Sequence, residues 1–395
     1  MEYLKFNLND LNTTVINSFI RLKKYCELEN FKGWDPYDGL NSELVKILPF
    51  KNNNYFRLMW IQLNRRNPIN LRYFFLIPKD YNPKGLGLFL SGYCNIYKKN
   101  NKKEYLSTMK LLIDKIFSLA SKGYSGVCWG YNFDWQSRTF FIPKYTPNVI
   151  VSTFVGNALL DVYNINKNRL LLDTARSTCN FILNDLKRSY DKNNNFCFSY
   201  SPVDSSKIFN ASLLASRFLA RVYRHTNEKI LFENAKRSIK YCVDKQNPDG
   251  SWFYGTDSNQ NWIDSFHTAY NLESIYEYQI FSGDTTYNNV YNKGFQYYIR
   301  TFFTDKGIPK YFHNSIYPVN IHSVSQLIIL LSKTNLLDEN SELLKKVLGW
   351  TYKNMWDNKR GYFFYELHKG YKITIPYIRW AQAWMFYALS YLVNI

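Results

Sequence analysis

The block WIDSFHTAYNLE (262–273) carries the residue types best suited to chemistry in this sequence. Asp264 and His267 are three positions apart and Asn271 follows four positions later, so on a helix all three side chains share one face. A carboxylate beside an imidazole can exchange protons during a reaction. Asp264 also stands where an N-cap residue would stand. The structural alternative is that Asp264 only caps the helix and His267 is a hydrogen-bonded core histidine.

Polar residues recur at the corresponding point of neighbouring segments. His322 lies 55 positions after His267, and Arg379 lies close to 55 positions after His322. Asn210 and Asn148 stand at the start of the two preceding apolar segments. Each residue taken alone is equally well explained by packing, but convergent polar groups indicate a ligand site. The catalytic candidates are Asp264, His267, His322 and Arg379, and the ligand-binding candidates are Asn148, Asn210 and Asn271.

Further blocks combine charged or polar residues with aromatic ones in predicted loops. In WGYNFDWQSR, Asp134 is a candidate catalytic acid, with a local ion pair between Asp134 and Arg138 as the structural alternative. In GWDPYDGL, Asp38 is a candidate carboxylate, although Asp-Pro and Asp-Gly are turn formers. Glu366 in YFFYE is a further candidate acid. The remaining ligand-binding candidates are Trp34, Trp135, Arg138, Tyr254, Trp252, Trp262, His313 and Trp380.

These candidates need a scaffold, and the spacing of turn signals predicts one. Clusters of turn-forming and aromatic residues recur around Asn195, Gly250, Gly307 and Gly361, at intervals of 55, 57 and 54 residues. A period near 55 fits one pair of antiparallel helices with its loops. After each turn, a segment that is apolar nearly all round precedes a Lys-rich amphipathic one. The first type predicts a buried inner helix and the second an outer helix with one solvent-exposed face.

Six segments of each type can be counted along the chain. Inner helices are expected at 84–97, 146–164, 208–226, 264–281, 320–333 and 376–394, and outer helices at 8–27, 103–121, 168–190, 228–246, 284–303 and 337–355. Six helical hairpins that close on themselves form an all-α (α/α)6 toroid, here a single domain over 1–395. The proline-rich stretch 28–83 is predicted to be an irregular insertion with short strands over one mouth of the ring. The N-termini of the inner helices open at one mouth, where the candidates would converge.

Five blocks resemble members of the six-hairpin toroid superfamily. They are GWDPYDGLNS, WGYNFDWQSR, QNPDGSWFYG, WIDSFHTAYNLE and GYFFYE with IRWAQAW. The superfamily includes glycoside hydrolases, uronate polysaccharide lyases, sugar epimerases and, with related repeats, terpenoid cyclases. Within it the sequence is most similar to toroid proteins of bacterial surface-polysaccharide biosynthesis loci. The resemblance implies a carbohydrate-active enzyme, in which Trp135, Trp252 and Trp262 would stack on sugar rings.

The resemblance leaves the reaction open, and the acid candidates favour a glycoside hydrolase narrowly. A hydrolase needs two carboxylates that flank the scissile bond. Asp264 with Asp134, or Asp264 with Asp38, would supply them. The sequence has no DxDD and no DDxxD motif, which argues against a terpenoid cyclase.

Two alternatives to hydrolysis are kept. A uronate lyase or C5-epimerase needs a base for the C5 proton and a cation for the carboxylate. His267, His322 or a tyrosine would be the base, and Arg379 or Arg138 would be the cation. The second alternative is a non-catalytic glycan-binding protein of polysaccharide biosynthesis.

Composition narrows the partners and the location. The 50 Lys and Arg residues exceed the 31 Asp and Glu residues by 19, but they are spread along the chain, which argues against nucleic acid. An oligo- or polysaccharide is the expected partner; an anionic glycan and codon drift both explain the charge. Six scattered cysteines and an N-terminus without an apolar run predict a cytoplasmic protein with no metal or cofactor. No apolar run reaches the roughly 18 residues of a membrane span.

Overall fold

The computed structural model of the protein describes residues 8–137 and 141–394. Within them, almost fully buried inner helices alternate with outer helices that have an exposed face. The inner helices are Pro83–Asn100, Val149–Asn166, Phe209–Thr226, Ser265–Ser282, Ile321–Lys333 and the π-helical Ile378–Ala383 continued by Trp384–Leu392. The outer helices are Leu8–Leu28, Glu104–Ser118, Arg169–Asn184, Lys229–Val243, Asn288–Phe302 and Ser341–Met355.

The inner helices form a closed ring. Each packs against the next in chain order, and Trp384–Leu392 packs back against Pro83–Asn100. The outer helix Leu8–Leu28 covers the last inner helix, with the rings of Phe19 and Phe386 stacked 5.0 Å apart. The predicted all-α (α/α)6 toroid is therefore confirmed, and most predicted helix ends lie within a few residues of the observed ones.

Burial explains why the two kinds of helix differ in composition. In Val149–Asn166, 13 of the 18 residues are buried, including the small polar residues Ser152 and Thr153. Their hydroxyls donate to the backbone oxygens of Trp129 and Ile150, so burial leaves these polar groups paired. In the outer helix Arg169–Asn184 only 8 of 16 residues are buried, which is the stripe expected of an amphipathic helix.

Capping residues fix where the inner helices begin and end. Four of these helices start at a residue whose side-chain oxygen accepts an N–H of the first turn: Asn82, Asn148, Asp264 and Asn320. Four end at a residue in the left-handed conformation: Asn101, Lys167, Asn227 and Gly283. Because the start is repeated from hairpin to hairpin, the capping side chains are presented at the same end of the ring.

The periodic turn signals form tight turns. Gly250, Gly307 and Gly361 have φ angles of +97°, +75° and +79°, which glycine adopts without a steric cost. Short antiparallel strand pairs accompany the turns, Arg188–Tyr190 with Phe196–Phe198 and Trp356–Asp357 with Tyr362–Phe363. Two further small sheets are Trp135–Gln136 with Phe141–Ile142, and Val319–Asn320 with Glu366–Leu367 and Lys372–Ile373.

The insertion 28–83 is helical where the sequence suggested short strands. It contains the 3-10 turn Asp38–Asn41, the short helix Glu43–Lys46 and the helix Asn54–Arg66, whereas the strands of the described chain all lie after residue 134. The strand prediction was wrong because Asn53 caps the segment and Phe56, Trp60 and Asn64 recur at helical spacing toward the protein. None of the described helices is long and apolar enough to cross a membrane.

Candidate functional site

Asp264 does two things at the start of the helix Ser265–Ser282. Its Oδ1 accepts the backbone N–H of His267 at 2.9 Å, which caps the helix. Its Oδ2 lies 2.7 Å from Nδ1 of His267 and accepts a hydrogen bond from Nε1 of Trp262 at 3.1 Å. An ionised carboxylate only accepts hydrogen bonds, so Nδ1 of His267 is the donor in this contact and Nε2 is the ring nitrogen that Asp264 does not engage. The capping and the chemical interpretations of Asp264 are therefore compatible.

The imidazole of His267 lines a small cleft, and its Nε2 has no hydrogen-bond partner among the described residues. The empty space between the lining atoms is about 200 Å³, including the part that opens to solvent. Seven predicted residues line it together: Asn210, Trp252, Tyr254, Trp262, Asp264, His267 and Asn271.

Aromatic rings form one wall of the cleft. The rings of Tyr254 and Trp262 are stacked 4.4 Å apart at 18°, and the ring of Tyr254 is 4.7 Å from that of His267. Burial raises the pKa of Tyr254 above its ordinary value, so its phenol stays protonated. Trp252 is only 2% exposed and its Nε1 donates to the backbone oxygen of Cys242, so it serves mainly as packing behind the cleft.

Two amide side chains in the cleft are incompletely paired. The Oδ1 atoms of Asn210 and Asn271 are buried and have no hydrogen-bond partner among the described residues. An unpaired buried oxygen costs roughly 1–3 kcal/mol, which a donor from a bound ligand can recover. Hydroxyl groups of a sugar are such donors. Asn148 caps its own helix through Oδ1, and its Nδ2 is also buried without a partner, but it lies outside the lining of the cleft.

His322 lies behind the cleft, in an aromatic cluster. Its ring stacks on Phe266 at 4.6 Å and lies 4.5 Å from Trp384, and its Nε2 is 2.8 Å from the hydroxyl of Tyr270. Burial is the main cause that holds the pKa of His322 well below its ordinary value, so the ring is neutral. His322 is therefore near His267, on the other side of Phe266, but it does not line the cleft.

Arg379 is already paired. Its guanidinium donates two hydrogen bonds to the carboxylate of Asp35, at 2.5 and 2.8 Å, and both residues are buried. Asp35 belongs to the insertion, so this ion pair ties the insertion to the last inner helix. Asp38 is held in the same way, by Nε of Arg72 at 2.8 Å. Neither Arg379 nor Asp38 lines the cleft.

Lys84 is a residue that the sequence reasoning missed. It is 3% exposed, and its Nζ lies 4.3, 5.4 and 5.1 Å from the ring centres of Phe154, Tyr270 and Trp384. No carboxylate among the described residues pairs with it, and burial lowers its pKa well below the ordinary value. The available signal was its place in the first turn of an apolar inner helix, where a lysine has to be buried.

The other predicted residues lie elsewhere around the same end of the ring. Asp134 is half-buried, and its Oδ1 accepts the backbone N–H of Lys144 at 2.7 Å. Glu366 accepts from Nδ2 of Asn320 and lies 2.9 Å from Nε2 of His368. Trp380 donates to Oδ1 of Asn320. Arg138 lies outside the described residues, so its predicted ion pair with Asp134 stays a prediction.

Three aromatic or histidine candidates have packing contacts. Trp34 is buried, with its Nε1 donating to the backbone oxygen of Ile77. Trp135 is partly buried between the rings of Tyr37 and Tyr200. Nδ1 of His313 is 3.2 Å from the backbone oxygen of Ile263. None of the three lines the cleft, and their predicted roles in binding stay predictions.

Comparison with known proteins finds the same fold in enzymes that act on carbohydrates. Neither a scan of protein-family models nor a search of curated protein sequences finds a match. Among solved structures, cellobiose 2-epimerase from Bacillus thermoamylovorans is 12% identical with a TM-score of 0.62, over 81% of this chain and 90% of that one. A polysaccharide lyase is 10% identical with a TM-score of 0.59, over 96% and 97% of the two chains.

A third similar structure is an unsaturated glucuronyl hydrolase specific for heparin. It is 10% identical with a TM-score of 0.60, over 97% of this chain and 95% of that one. An epimerase, a lyase and a hydrolase thus share this architecture at identities too low to transfer a reaction. The chain has the six-hairpin (α/α)6 toroid fold of these carbohydrate-active enzymes.

Proposed function

We propose that the protein is a carbohydrate-active enzyme that moves a proton at a carbon atom of a sugar, as an epimerase or a lyase does. His267 is the general acid–base, and Asp264 is the positioning residue that fixes its tautomer. The observation that carries the proposal is the free Nε2 of His267, which lines a cleft with two unpaired amide oxygens.

The small number of carboxylates that line the cleft favours proton transfer over hydrolysis. Of the described acids, Asp264 alone lines the cleft. Asp134 is bonded to the backbone of Lys144, and Asp38 is paired with Arg72. A glycoside hydrolase generally places two carboxylates about 5–10 Å apart on either side of the bond. Hydrolysis, which the sequence favoured narrowly, is the second candidate, supported by the likeness of almost the whole chain to the glucuronyl hydrolase.

The shape of the cleft indicates how a sugar would bind. The stacked Tyr254 and Trp262 offer an aromatic face, and the apolar face of a sugar ring packs well on such a surface. The Oδ1 atoms of Asn210 and Asn271 would accept hydrogen bonds from hydroxyl groups. The proposed substrate is an oligo- or polysaccharide, and the resemblance of the sequence points to surface polysaccharides.

The test is exchange of carbon-bound hydrogen with solvent. Wild-type protein is incubated in D2O with a panel of neutral and acidic oligosaccharides, and loss of ring-proton signals is followed by NMR. We expect His267→Gln to slow exchange by about 10²–10⁴-fold because the acid–base is removed. His225→Gln is the matched control, since His225 lies at the far end of helix Phe209–Thr226 beside Tyr163.

Other outcomes identify the competing functions. New reducing ends with neither deuterium uptake nor an unsaturated uronate product would establish hydrolysis and refute proton transfer. Saturable binding of a glycan without either reaction would establish a glycan-binding protein. Equal loss of exchange in the His267 and His225 variants would show that the effect is not local to the cleft.

A further inference from the structure

Exposed hydrophobic side chains are concentrated in the insertion. Of the 23 large hydrophobic side chains exposed on the described residues, 10 lie between residues 44 and 76. We call this set the insertion face: Leu44, Ile47, Phe50, Tyr55, Met59, Leu63, Ile69, Tyr73, Phe74 and Leu76. Single exposed apolar residues are normal on a soluble protein, whereas a cluster marks a surface that binds something.

The helix Asn54–Arg66 is apolar on two sides. On its inner side Ile61 is buried, and Phe56 and Trp60 pack against a small core of the insertion. On its outer side Tyr55, Met59 and Leu63 are 85%, 60% and 49% exposed. These three recur every four residues and so share one face. Exposed side chains of this kind contribute little to the packing of this chain.

The other members of the insertion face lie beside this helix. The hydroxyl of Ser42 donates to the backbone oxygen of Phe75, and the N–H of Glu43 donates to that of Leu76, which places residues 44 and 76 together. The ring of Phe50 is 4.7 Å from that of Phe56 at the start of the helix. The exposed side chains are thus parts of one surface.

The charge of the same segment has one sign. Residues 44–79 contain seven Lys and Arg residues and no Asp or Glu. Of the seven, Lys51, Arg57, Arg65 and Arg66 have no carboxylate partner among the described residues, and Arg65 donates to the hydroxyl of Tyr365. Apolar and aromatic side chains flanked by unpaired cations are the combination that binds the interface of an anionic bilayer.

We propose that the insertion face docks the protein on the surface of an anionic lipid membrane. The apolar side chains enter the interfacial region, and the cations contact the headgroups. Docking is peripheral, since no described helix can span a bilayer. The proposal does not depend on the reaction in the cleft. It explains part of the excess positive charge of the chain as contacts with anionic headgroups.

Other occupants fit the insertion face less well. A second copy of the chain would bring two like-charged faces together with no acidic residue from 44–79 to offset them. A nucleic acid needs a row of cations for phosphates, whereas ten exposed apolar side chains dominate this surface. These occupants become outcomes of the test.

The test is flotation of the full-length chain with lipid vesicles. We expect wild-type protein to float with phosphatidylcholine vesicles that contain phosphatidylglycerol, and to bind less at high salt. The triple variant Tyr55→Ser, Met59→Ser and Leu63→Ser should lose this binding at least tenfold. The matched control is Leu170→Ser, Ile230→Ser and Ile280→Ser, which removes three similarly exposed side chains from helices of the ring.

A second variant separates the charge from the apolar contact. Replacing Lys51 and Arg66 by Ser should weaken binding to anionic vesicles by about fivefold per residue, and should not change retention on neutral vesicles. Unchanged thermal unfolding shows that each variant is folded. Failure of the wild type to float, equal losses in the test and control triples, or a dimer that the Tyr55 triple converts to a monomer without any vesicle binding would each overturn the proposal.

Discussion

Replacement of Lys84 by methionine tests the electrostatics inside the ring. Four cations are more than 90% buried among the described residues, and three of them, Arg72, Arg217 and Arg379, have a carboxylate at 2.5–2.8 Å. Lys84 has none. An isolated buried ammonium is costly, and such a group usually loses its proton instead. We therefore expect Lys84 to be a neutral amine in the folded protein over a wide range of pH.

Several groups face this amine, and burial is the largest influence. Arg379 lowers the pKa of Lys84 further, while Asp35 and Glu273 act in the opposite direction. Lys84 and His322 both lie against the ring of Trp384, at 5.1 and 4.5 Å from its centre. Together, burial and these charges hold the pKa of Lys84 well below its ordinary value.

The sign of the stability effect follows from the protons bound. In the unfolded chain a lysine titrates at about pH 10.4. Between the lowered folded pKa and that value, the unfolded chain binds a proton that the folded protein does not. The free energy of unfolding of the wild type therefore rises with pH, by about 1.4 kcal/mol per unit at most. Lys84→Met lacks this dependence, and its thioether still packs on the rings of Phe154 and Trp384.

The assay is urea denaturation of the wild type and the variant at several pH values from about 7 to 10. The variant is expected to be the more stable at neutral pH, and its advantage should shrink toward zero near pH 10. Arg217→Met is the control, because it should lower the free energy of unfolding, which Lys84→Met is expected to raise at neutral pH. It should cost about 3 kcal/mol because it leaves Glu273 with Lys333 alone.

One result would refute this reasoning. If Lys84→Met were less stable than the wild type by the same amount at every pH, the lysine would be charged in the folded protein. The faces of Phe154, Tyr270 and Trp384 would then hold the ammonium through cation–π interactions, each worth up to about 2 kcal/mol when desolvated.

Two further substitutions test the packing. Arg72→Met should cost about 3–5 kcal/mol in urea denaturation because Asp38 is left buried without its partner; a cost below 1 kcal/mol would show that the pair is not buried as described. Gly156→Ala should cost about 1–3 kcal/mol by thermal unfolding, because the added Cβ would lie 2.5 Å from the ring of Phe218. Gly349→Ala, whose Cβ meets no atom within 4 Å, should instead stabilise its helix by about 0.5–1 kcal/mol.

The ring was predictable because its signals are periodic. Apolar inner helices, amphipathic outer helices and turns near Gly250, Gly307 and Gly361 repeat at one spacing, so a weak signal in one hairpin is supported by the others. The insertion occurs once, and its fold depends on contacts such as Asp35 with Arg379 that join residues 344 positions apart. No local pattern reports such a partner. The helix Asn54–Arg66 has local signals, the Asn53 cap and the spacing of Phe56, Trp60 and Asn64, but no second copy of the insertion supports them.

The lining of the cleft was predicted best where two turns of one helix supply it. The spacing of Asp264, His267 and Asn271 is local, and these three line one cleft. Arg379 had the residue type and the repeat position of a ligand-binding cation, yet Asp35 occupies it. Lys84, by contrast, was not predicted. Its place in an apolar segment indicates burial, but nothing in the sequence indicates that the buried lysine lacks a carboxylate partner.

Caps explain why a structural and a functional interpretation were hard to separate. Four of the six inner helices have a side-chain oxygen at their N-cap, at the end of the ring where their first turns lie. Each capping side chain has a second polar atom that is not used for capping and can contact another residue. In Asn320 that atom donates to Glu366, in Asn148 it has no partner, and in Asp264 it holds His267. Capping therefore places polar atoms from four helices at one end of the fold, and the neighbour of the second atom distinguishes Asp264, the proposed positioning residue, from caps that only pack.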